Sequence, residues 1–167
     1  ILGLLAQGPL HGYELRKRML ALYGPFRGLA YSVLYPQLHR MMEEGTIEEL
    51  EAAKPIGTSR RKRIVYSITK KGKKAFESMV EDSDADAWND ENFEVRFAFF
   101  GPTPKSNRLR ILEGRLRRLT EKAEDLKADL NTKVSERDTY LTEWRRHSLD
   151  AAEREISWLK EIINTER

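Results

Sequence analysis

Between Ala30 and Ile47 the apolar residues Leu34, Leu38, Met41 and Met42 recur at i, i+4, i+7 and i+8, the period of one helix face, and Gly45 closes the pattern. The spacing predicts a helix from about Ser32 or Val33 to Glu44. Pro36 fits within its first turn, where a missing N–H has no intrahelical partner. The opposite face carries Ser32, Tyr35, Gln37 and Arg40, whose hydroxyl, phenol, amide and guanidinium groups suit phosphates and base edges in a DNA groove. Such a face more often meets only water, so the flanking sequence has to decide between the two readings.

Upstream, Ile1, Leu2, Leu4 and Leu5 begin a first helix that Gly8 and Pro9 stop. A second helix is expected from Gly12 to Tyr23, with Leu15, Met19 and Leu20 on one side and Arg16, Lys17 and Arg18 beside and behind them. A turn at Gly24-Pro25-Phe26-Arg27-Gly28 then leads into the helix of the 30–47 stretch, which gives the outline of a helix-turn-helix.

Downstream the period changes to two. Residues 47–53 form a candidate strand, and Ile64, Tyr66 and Ile68 alternate along a β-branched and aromatic one. Between them, residues 54–63 end in the consecutive cations Arg60, Arg61, Lys62 and Arg63, so the predicted hairpin has a basic tip. A charge run is usually a solvated surface, but a projecting loop beside a recognition helix can reach phosphates. Thr69 then caps a helix over 70–80 whose apolar side holds Ala75, Phe76, Met79 and Val80. Lys70, Lys71, Lys73 and Lys74 crowd its first turns, the unfavourable end for the helix dipole. Phosphate contact and plain surface charge both account for them.

Residues 81–90 are acidic and polar and are expected to be a linker. Phe93, Val95, Phe97, Phe99 and Phe100 follow as an aromatic cluster in which helix and strand both stay open, although Phe93, Phe97 and Phe100 fit one helical face. Core or interface is the first reading of that cluster, and the wall of an apolar effector pocket is the second. From Thr103, a candidate N-cap with Pro104 at the first helical position, Leu109, Leu112, Leu116, Leu119, Ala123, Leu126 and Leu130 make a heptad seam. The seam fails at Lys133 and Arg137, so a break is expected within 131–148. A second seam follows at Leu149, Ala152, Ile156, Leu159 and Ile163. Two such narrow stripes must pair with each other, with a second subunit, or with both.

Charge sharpens the division. The net charge of +3 conceals 14 Lys/Arg against 7 Asp/Glu in residues 1–80 and 16 against 20 in the remainder. The first half suits a polyanion and the second does not. The chain has no cysteine, which suits a reducing, cytoplasmic setting. The apolar run at the start is far too short for a membrane span, and because the chain opens on Ile1 its natural N-terminus is expected to lie upstream. His11, His39 and His147 have no ligand spacing, and neither a nucleophile-base arrangement nor a phosphate-cradling glycine loop occurs. Enzymatic activity, a bound metal and a cofactor are therefore not expected.

These stretches resemble the PadR family of bacterial transcriptional regulators. The resemblance is carried by Ile1 to Gln7 followed by Gly8-Pro9-Leu10-His11-Gly12-Tyr13-Glu14-Leu15, by Ser32-Val33-Leu34-Tyr35-Pro36-Gln37-Leu38, by Glu43-Glu44-Gly45-Thr46-Ile47, and by Arg63-Ile64-Val65-Tyr66-Ser67-Ile68-Thr69-Lys70-Lys71-Gly72. It covers about the first 80 residues strongly; beyond them the helical half, with Phe97-Ala98-Phe99-Phe100-Gly101, is similar in outline to the larger subgroup. The resemblance implies a winged-helix homodimer that binds an inverted-repeat operator and usually represses transcription. Tyr13 and its helix, including Lys17, would support or touch the backbone, Ser32, Tyr35 and Gln37 would lie at the groove end of the third helix, and Arg60 to Arg63 on the wing. Tyr35 and Pro36 also match a motif whose role is packing and helix entry. Some relatives respond to phenolic acids or hydrophobic drugs, which implies a small aromatic or hydrophobic effector.

The expected fold is mainly α with a small β-hairpin. A winged helix-turn-helix DNA-binding domain over residues 1–82 precedes a helical, coiled-coil-like dimerisation domain over 83–167. The expected partners are double-stranded DNA and a second copy of the chain, with no membrane; the competing reading is a protein-interaction scaffold whose basic hairpin is merely solvated.

Overall fold

The computed structural model describes residues 1–23, 31–50, 64–131 and 139–167. The expected turn at 24–28, the basic loop with Arg60, Arg61, Lys62 and Arg63, and the break at Lys133 and Arg137 lie outside the described residues. The chain divides into two compact units, one made of Ile1–Asp82 with Glu94–Pro102 and the other of Ser83–Phe93 with Thr103–Arg167.

In the first unit, α1 (Leu2–Leu5) leads to β1 (Leu10–His11), α2 (Gly12–Tyr23) and α3 (Tyr31–Glu43), and then to β2 (Ile47–Leu50), β3 (Val65–Ile68) and α4 (Lys70–Glu81). The strands form an antiparallel sheet in the order β1-β3-β2, with Leu10 and Glu49 both opposite Tyr66 and Ile47 opposite Ile68. Sequence patterning missed β1, because its two residues become a strand only by pairing with β3 far along the chain. One apolar cluster fills the unit, with Leu5, Leu15, Leu34, Leu38, Ile47 and Tyr66 nearly or fully inaccessible. Tyr66 and Ile68 point inward as their alternation predicts, whereas Ile64 is exposed just before the strand.

α3 starts earlier than its periodicity suggests. Pro36 is consequently its sixth residue, an interior position beyond the first turn, where it removes an intrahelical hydrogen bond. The exit of α3 is tightly specified. Gly45 takes φ +70, its N–H donates to the Met42 carbonyl at 2.9 Å, and the Thr46 N–H donates to the Met41 carbonyl at 2.9 Å. This pair of bonds satisfies carbonyls that the helix end leaves open, and the left-handed backbone at position 45 favours glycine. Thr69 caps α4 as expected, its hydroxyl accepting from the Gly72 N–H at 3.1 Å and donating to the Gly45 carbonyl at 2.7 Å. The aromatic stretch resolves as a short helix, α5 (Phe93–Ala98). Within the first unit Phe99 stacks edge-on against Phe76, with centroids 5.8 Å apart, and both pack on the apolar cluster.

In the second unit a 3-10 turn (Ala85–Trp88) precedes the long helices α6 (Lys105–Asn131) and α7 (Thr139–Glu166). α6 and α7 run antiparallel, as the ion pairs Arg108–Glu166, Lys127–Glu153 and Arg145–Asp129 show. Of the predicted seams, Leu112, Leu119, Ala123, Ala152, Leu159 and Ile163 are buried, while Leu109, Leu116, Leu126, Leu130, Leu149 and Ile156 are half-buried. The buried line on α6 instead runs through Ile111, Arg115, Leu119 and Ala123, a four-residue spacing that the heptad template passes over. The segment expected to be a plain linker is packed: Ser83 and Ala87 are buried in this unit, as is Phe93 of the aromatic cluster that follows. Among the described residues no helix is long and apolar enough to cross a membrane.

Candidate nucleic-acid interface

α3 divides its side chains cleanly. Leu34, Leu38 and Met41 enter the core, which fixes the helix's rotation about its axis and leaves Val33, Gln37 and Arg40, at i, i+4 and i+7, together on the flank beside that face. Val33 is 56% exposed, Arg40 is exposed and Gln37 is half-buried. An apolar side chain beside an amide and a guanidinium is the set that reads a thymine methyl, an adenine edge and a guanine edge or phosphate. Polarity alone does not single out Val33. Its signal was available, since it lies four residues before Gln37 and off the apolar stripe.

α2 contributes Tyr13 and Lys17, one helical turn apart. Tyr13 is 66% exposed and Lys17 is exposed, while Leu15 and Met19 anchor the helix to the core. Arg18 is held by Glu14 at 3.0 Å on the surface. Tyr35 points elsewhere. It is half-buried, and a Cβ built on Gly12 would lie 3.2 Å from its hydroxyl oxygen and 3.4 Å from the Tyr66 ring, so the phenol packs over the start of α2. Nearby, burial first and then the Glu49 carboxylate and Tyr35 push the Tyr66 hydroxyl above its ordinary pKa, which keeps this core phenol neutral.

The lysines at the start of α4 also receive an explanation. Lys71 Nζ donates to the Glu44 carbonyl at 2.6 Å, at the negative end of α3. The charge that looks misplaced on its own helix thus caps its neighbour. Lys70, Lys73 and Lys74 are exposed.

The residues named for an effector pocket divide between the units. Phe97 and Phe100 stack on each other in the first, with centroids 4.9 Å apart, and Phe93 meets Trp158 edge-on in the second, at 6.4 Å. Among the described residues no group of His, Asp and Glu has the geometry to hold a metal ion.

Residues 1–78 match the model of the Transcriptional regulator PadR-like family. Among solved structures, Bacillus subtilis PadR in complex with operator DNA is similar at 20% identity and TM-score 0.45, covering 99% of this chain and 96% of that one. Bacillus subtilis PadR in complex with p-coumaric acid is similar at 22% identity and TM-score 0.41, covering 99% and 95%. The PadR-like regulator BC1756 from Bacillus cereus is similar at 17% identity and TM-score 0.40, covering 99% and 92%. No curated protein sequence matches the chain.

Proposed function

We propose that this chain is a transcriptional regulator of the PadR-like family that binds an inverted-repeat operator as a homodimer and represses transcription from the cytoplasm. The observation that carries the reading is the outward stripe of Val33, Gln37 and Arg40 on α3, flanked by Tyr13 and Lys17 of α2. The first turns of α3, including Ser32, would enter the major groove. Tyr13, Lys17 and the wing cations Arg60, Arg61, Lys62 and Arg63 would meet phosphates. Tyr35 is assigned to packing against α2 and only indirectly to DNA. The half-buried seam residues Leu109, Leu116, Leu126, Leu149 and Ile156 would supply the apolar surface for a second copy, whereas Leu112, Leu119, Leu159 and Ile163 are buried within the hairpin and would support that surface from beneath. A second copy adds a second half-site at high effective concentration. A small aromatic or hydrophobic effector is proposed to act at Phe97 and Phe100, with Phe93 responding through the helical unit.

The test is a mobility-shift titration against genomic fragments at several salt concentrations. A preferred fragment and a steep salt dependence are expected, whereas their joint absence sinks the regulator reading in favour of a protein-interaction scaffold. Gln37→Ala should relax sequence preference by about 1–3 kcal/mol at its base position. Joint replacement of Arg60, Arg61 and Arg63 by Ala should weaken binding to all sequences and flatten the salt slope. Equal effects of the two changes on specific and random DNA would overturn this division of roles.

A further inference from the structure

Arg115 is the one charged residue among the described residues whose burial matches that of the apolar core. Its side chain is 9% exposed, on the inward line of α6 between Ile111 and Leu119. A guanidinium there is costly unless every donor is engaged, and all of its nitrogens are. Nε and Nη2 donate to the two carboxylate oxygens of Glu155 on α7, at 2.8 and 3.2 Å, a fork that the hairpin supplies from within itself. Nη1 turns to the 83–93 segment, donating to the Asp90 carboxylate and to the Trp88 carbonyl at 3.4 Å. The Phe93 ring covers the guanidinium, with its centroid 5.2 Å away. One residue earlier, Gly114 leaves room for the Trp88 ring, since a Cβ there would lie 2.5 Å from it.

The 83–93 segment is an arm. The chain leaves the first unit after Asp82 and returns to it at Glu94. In the first unit Arg96 closes the base of this excursion, donating to the Met79 carbonyl and to Asp82. In the second unit Arg115 holds its far end. The two carboxylates on Arg115 are unequal: Glu155 is 32% exposed and doubly bonded, Asp90 is 54% exposed and singly bonded. The hairpin's own charge pair is complete without the arm, but the arm's hold is not complete without Arg115. Letting the arm go therefore does not require opening the hairpin.

We propose that Arg115 is a positioning residue for operator binding: it latches the 83–93 arm to the α6–α7 hairpin through Asp90 and Trp88, and the latched arm transmits the hairpin's dimer geometry to the DNA-binding unit. The latch itself is independent of the regulator reading, while its consequence for DNA rests on it. The reporters are built in. The Ala87 N–H donates to the Asp84 carbonyl, and those of Glu91 and Asn92 donate to Asn89 Oδ1; single turns of this length do not persist without packing, so their hydrogen exchange quickens when the arm leaves α6.

The test uses the full chain, as wild type, Asp90→Asn and Arg115→Met, with amide exchange followed in the arm and in α6 and α7. Affinity is measured for DNA carrying two half-sites and for DNA carrying one. Asp90→Asn should speed exchange at Ala87, Glu91 and Asn92 about tenfold with α6 and α7 unchanged. It should weaken two-half-site binding by about tenfold, leaving half-site affinity and the salt slope as they were. Arg115→Met should do the same more strongly; should it fail to fold, Asp90→Asn still decides. Unchanged arm exchange overturns the latch. A released arm with full two-half-site affinity overturns its role on DNA, and so does an equal loss on both DNAs, the mark of general damage. Failure of wild type to prefer any sequence refutes the regulator reading instead, and the exchange result still decides the latch.

Discussion

Leu5, Leu15, Leu34, Leu38 and Ile47 close around Tyr66 in the first unit, and the polar groups placed there, the hydroxyls of Thr46 and Thr69, are neutral and terminate or cap helices. In the helical unit the inward line of α6 holds a charged guanidinium between Ile111 and Leu119, and ion pairs such as Arg108–Glu166 and Lys127–Glu153 run along the contact of α6 with α7. The difference follows from geometry. Helices and strands packed around a three-stranded sheet enclose residues on every side, while a two-helix hairpin buries only a narrow stripe and must use the flanks. Apolar packing therefore sets the stability of the first unit. The second depends more on charge, and so on conditions.

The comparison breaks most visibly at Leu38. Its side chain is fully buried on α3, and Leu38→Ala should cost about 2–5 kcal/mol of stability in the first unit, measured by denaturant unfolding. Exchange protection in α6 and α7 should stay as it was. An equal loss of protection in both units would show that their stabilities are not separate.

A smaller effect is expected where backbone conformation, not packing, holds the first unit together. Gly45 has φ +70 and open space around a built Cβ, so Gly45→Ala should cost about 1 kcal/mol by strain alone. The loss should appear as a lower unfolding midpoint with an unchanged denaturant slope. A neutral result would mean that the exit of α3 can re-form without a left-handed residue.

How far each unit is legible in the sequence follows the same division. α2, α3, α4 and the two long helices announce themselves because periodicity, caps and the glycine stop are local signals, and Gly45 and Thr69 act as their residue types predict. β1 does not, since two residues carry no period and depend on β3. The arm misleads through its composition: acidic residues suggest a solvated linker over 81–90, yet Ser83 and Ala87 are buried and Trp88 lies against Gly114. Arg115 was legible in principle, four residues from both Ile111 and Leu119, but a heptad template looks for leucines and passes over a cation. On the candidate DNA face, Gln37, Arg40, Tyr13 and Lys17 could be named from polarity. Val33 was equally legible, four residues before Gln37, whereas the packing role of Tyr35 required knowing which way α3 is rotated.

The smallest expected effect tests the charge dependence of the helical unit directly. The hydrogen bond from Arg115, opposed by burial and assisted by the charges of Arg115, Lys122 and Arg118, holds the Asp90 carboxyl below its ordinary range. The charged groups around it are Arg115, Arg118 and Lys122 of α6, with Glu155 of α7 sharing the Arg115 guanidinium. A carboxyl with a lowered folded pKa contributes stability that is fully present above its unfolded value, about 3.9, and is lost as pH falls through the folded one. Acidification below about pH 4 should therefore release the arm while the helices are still intact. Amide resonances of Glu91 and Asn92, followed against pH, should shift before the far-ultraviolet helix signal declines. In Asp90→Asn that early step should vanish, because no proton is left to bind. If it persists unchanged, some other carboxylate governs the arm, and the contrast between an apolar first unit and a charge-held second one has been drawn at the wrong residue.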